Sequence, residues 1–212
     1  MVAKAVLGVG GARMLALTAL GALLVGAGGT VAVNRFLSHG PPTTRAASVY
    51  LPPVGRQPVP APDFRLPDQS GQMVSLSSLR GREVLVTFMD PQCRSLCPIM
   101  GQQLGSVEAS LPAGVTPILL VVSVAPDRSA ADVAGFVSHV DWRPGWHWLL
   151  GTQAQLQAVW ATWHVMVAPT AGDVTHDEIV YIVDPQGRTV AAYNAPLAIS
   201  EVASMISRHA TR

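Results

Sequence analysis

Two short stretches, Glu83 to Met89 (EVLVTFM) and Thr116 to Val124 (TPILLVVSV), are almost continuously apolar and rich in β-branched residues. Runs without polar alternation belong to strands covered on both faces. Between and after them come helical signatures. From about Leu96, residues Cys97, Met100, Leu104, Val107 and Leu111 share one helical face. Ser129 with Asp132 opens a helix carrying Val133, Phe136, Val137 and Val140, and Thr152 with Gln155 forms a T-x-x-Q start ahead of Leu156, Val159, Trp160 and Trp163. Asp68-Gln-Ser-Gly71 predicts one hairpin turn, and Asp184-Pro-Gln-Gly187 between EIVYIV and RTVAAY predicts another. A last helix turns Ile199, Val202 and Ile206 inward. Strands alternating with helices and ending in a hairpin imply an α/β domain, a mixed central sheet flanked by helices.

A different element precedes this domain. Residues 14–33 (MLALTALGALLVGAGGTVAV) form a run of twenty without a charge, between Lys4 and Arg13 on one side and Asn34 and Arg35 on the other. That matches the ~20 helical residues that cross a bilayer core. The run is long for a cleavable signal, although the small residues at 27–30 suit one, and no cysteine stands near it to carry a lipid. The expectation is one N-terminal transmembrane helix, an uncleaved signal anchor over residues 1–35 with its amino terminus cytoplasmic. A proline-rich linker, residues 36–61, would then lead to an exported domain over residues 62–212. The protein is thus expected in the cell membrane, single-pass, with its C-terminal domain extracytoplasmic. Of 14 Lys and Arg, Lys4, Arg13 and Arg35 come first, leaving 11 against all 13 Asp and Glu, which excludes the basic face of a nucleic-acid binder. An apolar content of 49% excludes a disordered chain.

Both cysteines, Cys93 and Cys97, fall in MDPQCRSLCPIM, where the first buried strand ends and a helix begins. In open α/β sheets ligands bind at this edge. Free amides and the helix dipole there favour a thiolate, with Arg94 available to add to the effect. Residues four apart at a helix start can share a disulfide or bridge one metal ion. A structural disulfide is the ordinary reading of two cysteines in an exported chain. Closing a loop of three residues, however, constrains the unfolded chain little.

A third ligand would turn a redox pair into a metal site, so the histidines matter. His39 lies in the linker and His209 near the chain end; His139 sits on a helix beside core positions, His147 lies between two tryptophans and His164 ends a helix, each as a structural or surface group. His176 differs, because it lies in a polar loop two residues before the EIVYIV strand. If that strand runs antiparallel to Glu83 to Met89, His176 arrives at the sheet edge that carries Cys93 and Cys97. Two thiolates and an imidazole form a soft three-ligand set suited to copper, whereas structural zinc usually takes four ligands. Met89 and Met100 flank the motif as core residues, and no carboxylate is placed as a further ligand.

In order, PDFRLPDQSGQMVSLSSLRG, EVLVTFMDPQCRSLCPIM with its C-x-x-x-C-P core, SVAPDR and THDEIVYIVDPQGR resemble the Sco (SenC) copper-delivery proteins of the thioredoxin-like superfamily, over residues 62 to about 195. The resemblance implies a thioredoxin-like fold and a membrane-anchored, extracytoplasmic protein that binds one copper ion, Cu(I) or Cu(II), per domain through Cys93, Cys97 and His176. It further implies the dinuclear copper centre of cytochrome c oxidase subunit II as client, served by metal delivery or by reduction of its cysteines, with other copper chaperones as donors. Five positions depart from the family pattern: Asp90 and Pro91, Arg94, Ala125 and Thr175. The alternative is a thiol-disulfide oxidoreductase with Cys93 and Cys97 as the redox-active pair. Against it stand the three-residue spacer, where redox motifs of that superfamily have two, and the lack of a proline just before the Glu178 strand.

Overall fold

The computed structural model describes residues 58–210, apart from positions 141, 144, 171 and 172. The expected anchor, residues 14–33, and most of the expected linker lie outside these residues. Among the described residues no helix is long and apolar enough to cross a membrane.

Six strands form one mixed sheet in the order β1-β10-β9-β4-β5-β6. They are β1 (Val59–Pro60), β4 (Val84–Met89), β5 (Ile118–Ser123), β6 (Trp146–Leu149), β9 (Ile179–Val183) and β10 (Arg188–Asn194). β4, β5 and β6 run parallel, and β9 lies antiparallel to β4 with Val84 opposite Val183 and Thr87 opposite Val180. The two continuous apolar runs are thus central strands, every residue of β4 and β5 being buried.

The alternation of side chains along each strand divides the core in two. Leu85 and Met89 face one way with Leu119, Val121, Val180 and Ile182, against helices α1 (Leu96–Ala109), α2 (Ala130–Val137) and α4 (Ile199–Ala210). Val84, Val86 and Phe88 face the other way with Leu120 and Val122, against α3 (Gln153–Thr162). Most of each helical stripe read from the sequence is buried, from Cys97, Met100, Leu104 and Val107 in α1 to Val202 and Ile206 in α4, while Val137 and Ile199 are half-buried and Leu111 and Val140 lie past the ends of α1 and α2. Both predicted capping boxes form, Ser129 with Asp132 and Thr152 with Gln155. Met89 and Met100 are core residues.

The first predicted hairpin is β2 (Arg65–Pro67) with β3 (Met73–Ser75). Its turn is held by Asp68, whose Oδ1 accepts from the amides of Ser70 at 2.8 Å and Gln72 at 3.0 Å. The second hairpin, β9 to β10, turns at Asp184–Gly187, where the Gly187 amide donates to the Asp184 carbonyl at 2.8 Å.

Four strands had no counterpart in the sequence reading. β6 completes the sheet beside β5, yet its four residues, WHWL, carry no aliphatic run. Its outer edge is covered by the β2–β3 turn: Gln69 Oε1 accepts from the Trp148 amide at 2.7 Å, and Asp68 Oδ2 lies 3.0 Å from His147 Nδ1. β7 (Val167–Thr170) and β8 (Asp173–His176) form a small separate hairpin, so His176 ends a strand rather than sitting in a plain loop. At the front, Val59 pairs with Thr189, so the sheet takes in residues from the stretch read as linker.

Candidate metal centre

β4 ends at Met89, and Asp90 begins the six-residue link to α1. Asp90 is buried, and its carboxylate accepts from the Gln92 amide at 2.9 Å and twice from Arg128, at 2.7 and 2.8 Å. The Cys93 amide donates to the Asp90 carbonyl at 3.0 Å. Asp90, an unexplained departure in the sequence, is thus the post on which the cysteine loop is folded.

Ser95 precedes α1 without making a side-chain cap. The sulfur of Cys93 serves instead, accepting from the Cys97 amide at 3.5 Å with the Ser95 hydroxyl also at 3.5 Å. Helix N-terminal amides stabilise negative charge. The Cys93 thiol is accordingly pulled down to about 4 by the hydrogen bond with the Cys97 side chain, the Ser95 hydroxyl and the amides of Cys97 and Ser95, against the opposing effect of burial. Arg94 is exposed and is not among the groups that lower it, so the contribution open to it if it turned back is not made. Cys97, almost fully buried, is pushed up by the same hydrogen bond, by burial and by the charge on Cys93. Neither cysteine is in a disulfide.

The antiparallel pairing of β9 with β4 brings the start of β9 to the end of β4, as the sequence reading required. His176 Nε2 lies 3.9 Å from Cys97 Sγ, across 79 residues of sequence. Its Nδ1 lies 3.1 Å from the Asp177 carbonyl, which can only accept, so Nδ1 carries a proton and Nε2, toward Cys97, is the nitrogen available to a metal. The β7–β8 hairpin is pinned at this point by the Asp177 amide donating to the Met166 carbonyl at 3.1 Å and by Asp177 Oδ2 accepting from the Met166 amide at 2.8 Å. Of the other departures, Thr175 is exposed on β8, while Ala125 is buried with its carbonyl accepting from the Ser123 hydroxyl at 2.9 Å.

One residue was missed. Ligand atoms of Cys97, His176 and Glu178 all lie within 4.8 Å of one another. Cys93 joins them through Cys97 and is not part of that tightest group. The Glu178 carboxyl is pushed up by burial, and by the charge on Cys93, against the opposing effect of His176. A D-E pair ahead of a strand looks like any solvated loop, so only its spacing of two from His176 could have drawn attention to it. Cys93 is half-buried and opens onto a cleft of about 1080 Å³ lined by Asp90, Gln92, Arg128, Asp132 and Phe136. His139 lines the same cleft as Cys93, its Nδ1 donating to the Gly135 carbonyl at 2.8 Å, while His147 meets Asp68 at the β2–β3 turn and the His164 amide donates to the Ala161 carbonyl.

A protein-family model described as SCO1/SenC matches residues 55–211. The chain belongs to the SCO1/SenC family. Among its relatives, the mitochondrial SCO2 homolog of Bos taurus is 27% identical over 157 residues, covering 69% of this chain and 58% of that protein. The SCO1 protein homolog of Bacillus subtilis is 26% identical over 141 residues, covering 62% and 72%. This chain therefore spans less than two thirds of the length of the mitochondrial relatives. Among solved structures, the copper-bound ScoI of Bradyrhizobium japonicum is 26% identical with a TM-score of 0.62, covering 71% of this chain and 99% of that one. The copper-bound ScoI of Arabidopsis thaliana, at 20% identity, gives 0.64 over 70% and 96%. BsSco, of the Sco family of cytochrome c oxidase assembly proteins, gives 0.65 at 22% identity, over 74% and 96%. The fold is the mixed α/β, thioredoxin-like Sco fold.

Proposed function

We propose that this SCO1/SenC protein binds one copper ion through Cys93, Cys97 and His176 and takes part in assembling cytochrome c oxidase, at the dinuclear copper centre of subunit II. The observation that carries this reading is the approach of His176 Nε2 to 3.9 Å from Cys97 Sγ, with Nδ1 engaged by the Asp177 carbonyl. Thiolate donors select copper in its Cu(I) state, and imidazole accepts either state. The donor set fits that cargo: Cys93 is held as a thiolate by the start of α1, and Cys97 loses its proton as metal binds, so uptake releases protons. Cys93 is the ligand open to the cleft, which gives a client or a donor chaperone room to reach the sulfur for exchange. We further propose that residues 14–33 anchor the chain in the cell membrane with the domain on the extracytoplasmic side.

The test is an anaerobic Cu(I) titration of the reduced full chain in detergent. One equivalent bound tightly by wild type, and strongly weakened binding by Cys93→Ser, Cys97→Ser and His176→Ala, is expected. Equal binding by the cysteine variants would overturn the reading.

A second reading is supported by the opposite shifts of the two thiols. Cys93 as thiolate attacks one sulfur of a client disulfide and releases the other as a thiol; Cys97 then displaces the client, leaving Cys93 and Cys97 oxidised and the client cysteines reduced. Client reduction unaffected by His176→Ala would favour this activity over metal delivery.

A further inference from the structure

Glu178 is the one member of the 4.8 Å group that the three-ligand reading does not use. Its position is rigid. The Glu178 carbonyl accepts from the Ala195 amide at 2.9 Å, and the next carbonyl, of Ile179, accepts from the Thr87 hydroxyl on β4 at 2.9 Å. Strand β9 therefore delivers this side chain to the end of β4 from a backbone tied down on both sides. The carboxylate is also unfinished, because Glu178 Oε2 is buried and accepts no hydrogen bond. A buried carboxylate oxygen without a donor is costly and calls for an explanation. A cation bound by Cys97 and His176 would provide one.

The donor chemistry says which cation state. Two sulfurs and one nitrogen form a soft set that suits Cu(I); an anionic oxygen is a hard donor that adds negative charge and a fourth position, both of which favour Cu(II). We infer that Glu178 supplies a fourth, oxygen ligand to the copper held by Cys93, Cys97 and His176, engaged when the ion is Cu(II) and dispensable when it is Cu(I). This rests on the copper reading above and adds to it an oxidation-state preference set by one residue.

The experiment compares the full chain in detergent with Glu178→Gln, which keeps the shape and removes the charge. Each is loaded with one equivalent of Cu(II) or, anaerobically, of Cu(I), and affinities are read by chelator competition. For Cu(II) the variant should bind at least about tenfold more weakly, with altered parallel hyperfine splitting in its electron paramagnetic resonance spectrum, while Cu(I) affinity should change less than about threefold. The metal-free variant should unfold at or above the wild-type midpoint, since Oε2 has no hydrogen bond to lose and the amide carries no charge to bury. A Cu(II) spectrum and affinity matching wild type would overturn the inference and leave the three-ligand site standing. Equal weakening for both ions would overturn the oxidation-state preference. Failure of wild type to bind either ion would remove the copper reading and this inference together.

Discussion

Arg128 donates to both carboxylate oxygens of Asp90, Nε to Oδ1 at 2.7 Å and Nη2 to Oδ2 at 2.8 Å. The pair joins the link after β4, which carries Cys93, to the link after β5, and both partners are largely withdrawn from solvent. A fork-on-carboxylate contact fixes orientation as well as distance. The cysteine loop is thereby held against the neighbouring βα connection, and the Gln92 side chain reinforces it by donating to Asp132 at 2.8 Å.

Breaking this pair from one side leaves Arg128 without its carboxylate. Asp90→Ala should cost about 2–3 kcal/mol in chemical denaturation and increase hydrogen exchange of the amides from Gln92 to Ser95. A variant as stable as wild type, with unchanged exchange, would show that the loop is held by other contacts.

Cys93 should behave as a thiolate in the metal-free protein. With its thiol pulled down to about 4, its alkylation rate should be nearly flat from pH 6 to 8, where an ordinary thiol would still be gaining rate with each unit. Cys97→Ala removes the largest of the lowering contacts and should return a rising profile. Measured rates that rise tenfold per pH unit in wild type would contradict the assignment.

Glu83 makes stability depend on pH at the opposite end of the sheet. Burial, and then the charge on Asp184, push its carboxyl up from 4.5 to about 8, and neither oxygen has a hydrogen-bond partner. Between these values the folded protein holds a proton that the unfolded chain has released, so stability is greatest below the lower value and falls as pH rises toward the upper one. Denaturation midpoints should decline from pH 5 to pH 8 in wild type, and Glu83→Gln should flatten that slope.

Gly187 closes the β9–β10 turn with φ of +77°, a region that disfavours a side chain, and a Cβ there would meet the Arg80 guanidinium at 2.6 Å. Gly187→Ala should lower stability by about 1–2 kcal/mol, read by thermal unfolding, while leaving metal binding at the far edge of the sheet unchanged.

Much of this protein was written in local pattern. Aliphatic runs named β4 and β5, two capping boxes set the starts of α2 and α3, and D-P-Q-G placed the last hairpin, because each signal lies within a few residues and depends on backbone geometry alone. β6 escaped since its tryptophans are buried by packing, Trp148 against Phe136 at a ring separation of 4.9 Å and Trp146 against Trp142 at 5.4 Å, rather than marked by an aliphatic run. The β7–β8 hairpin escaped because its residues read as a polar loop, and its pairing of Val167 with His176 becomes visible only in the folded backbone.

For the proposed site, residue types and a strand-to-helix junction put Cys93, Cys97 and His176 forward as candidates, on one assumption about strand direction that β9 satisfies. What decided the rest was tertiary. Asp90 meets Arg128 across 38 residues, Cys97 meets His176 across 79, and Glu178 reaches the same point only because β9 is fastened to β4 and β10. Side-chain periodicity reports which face a residue lies on; whether two charged or ligating groups from distant segments converge depends on register, loop path and burial, which no short stretch of sequence encodes.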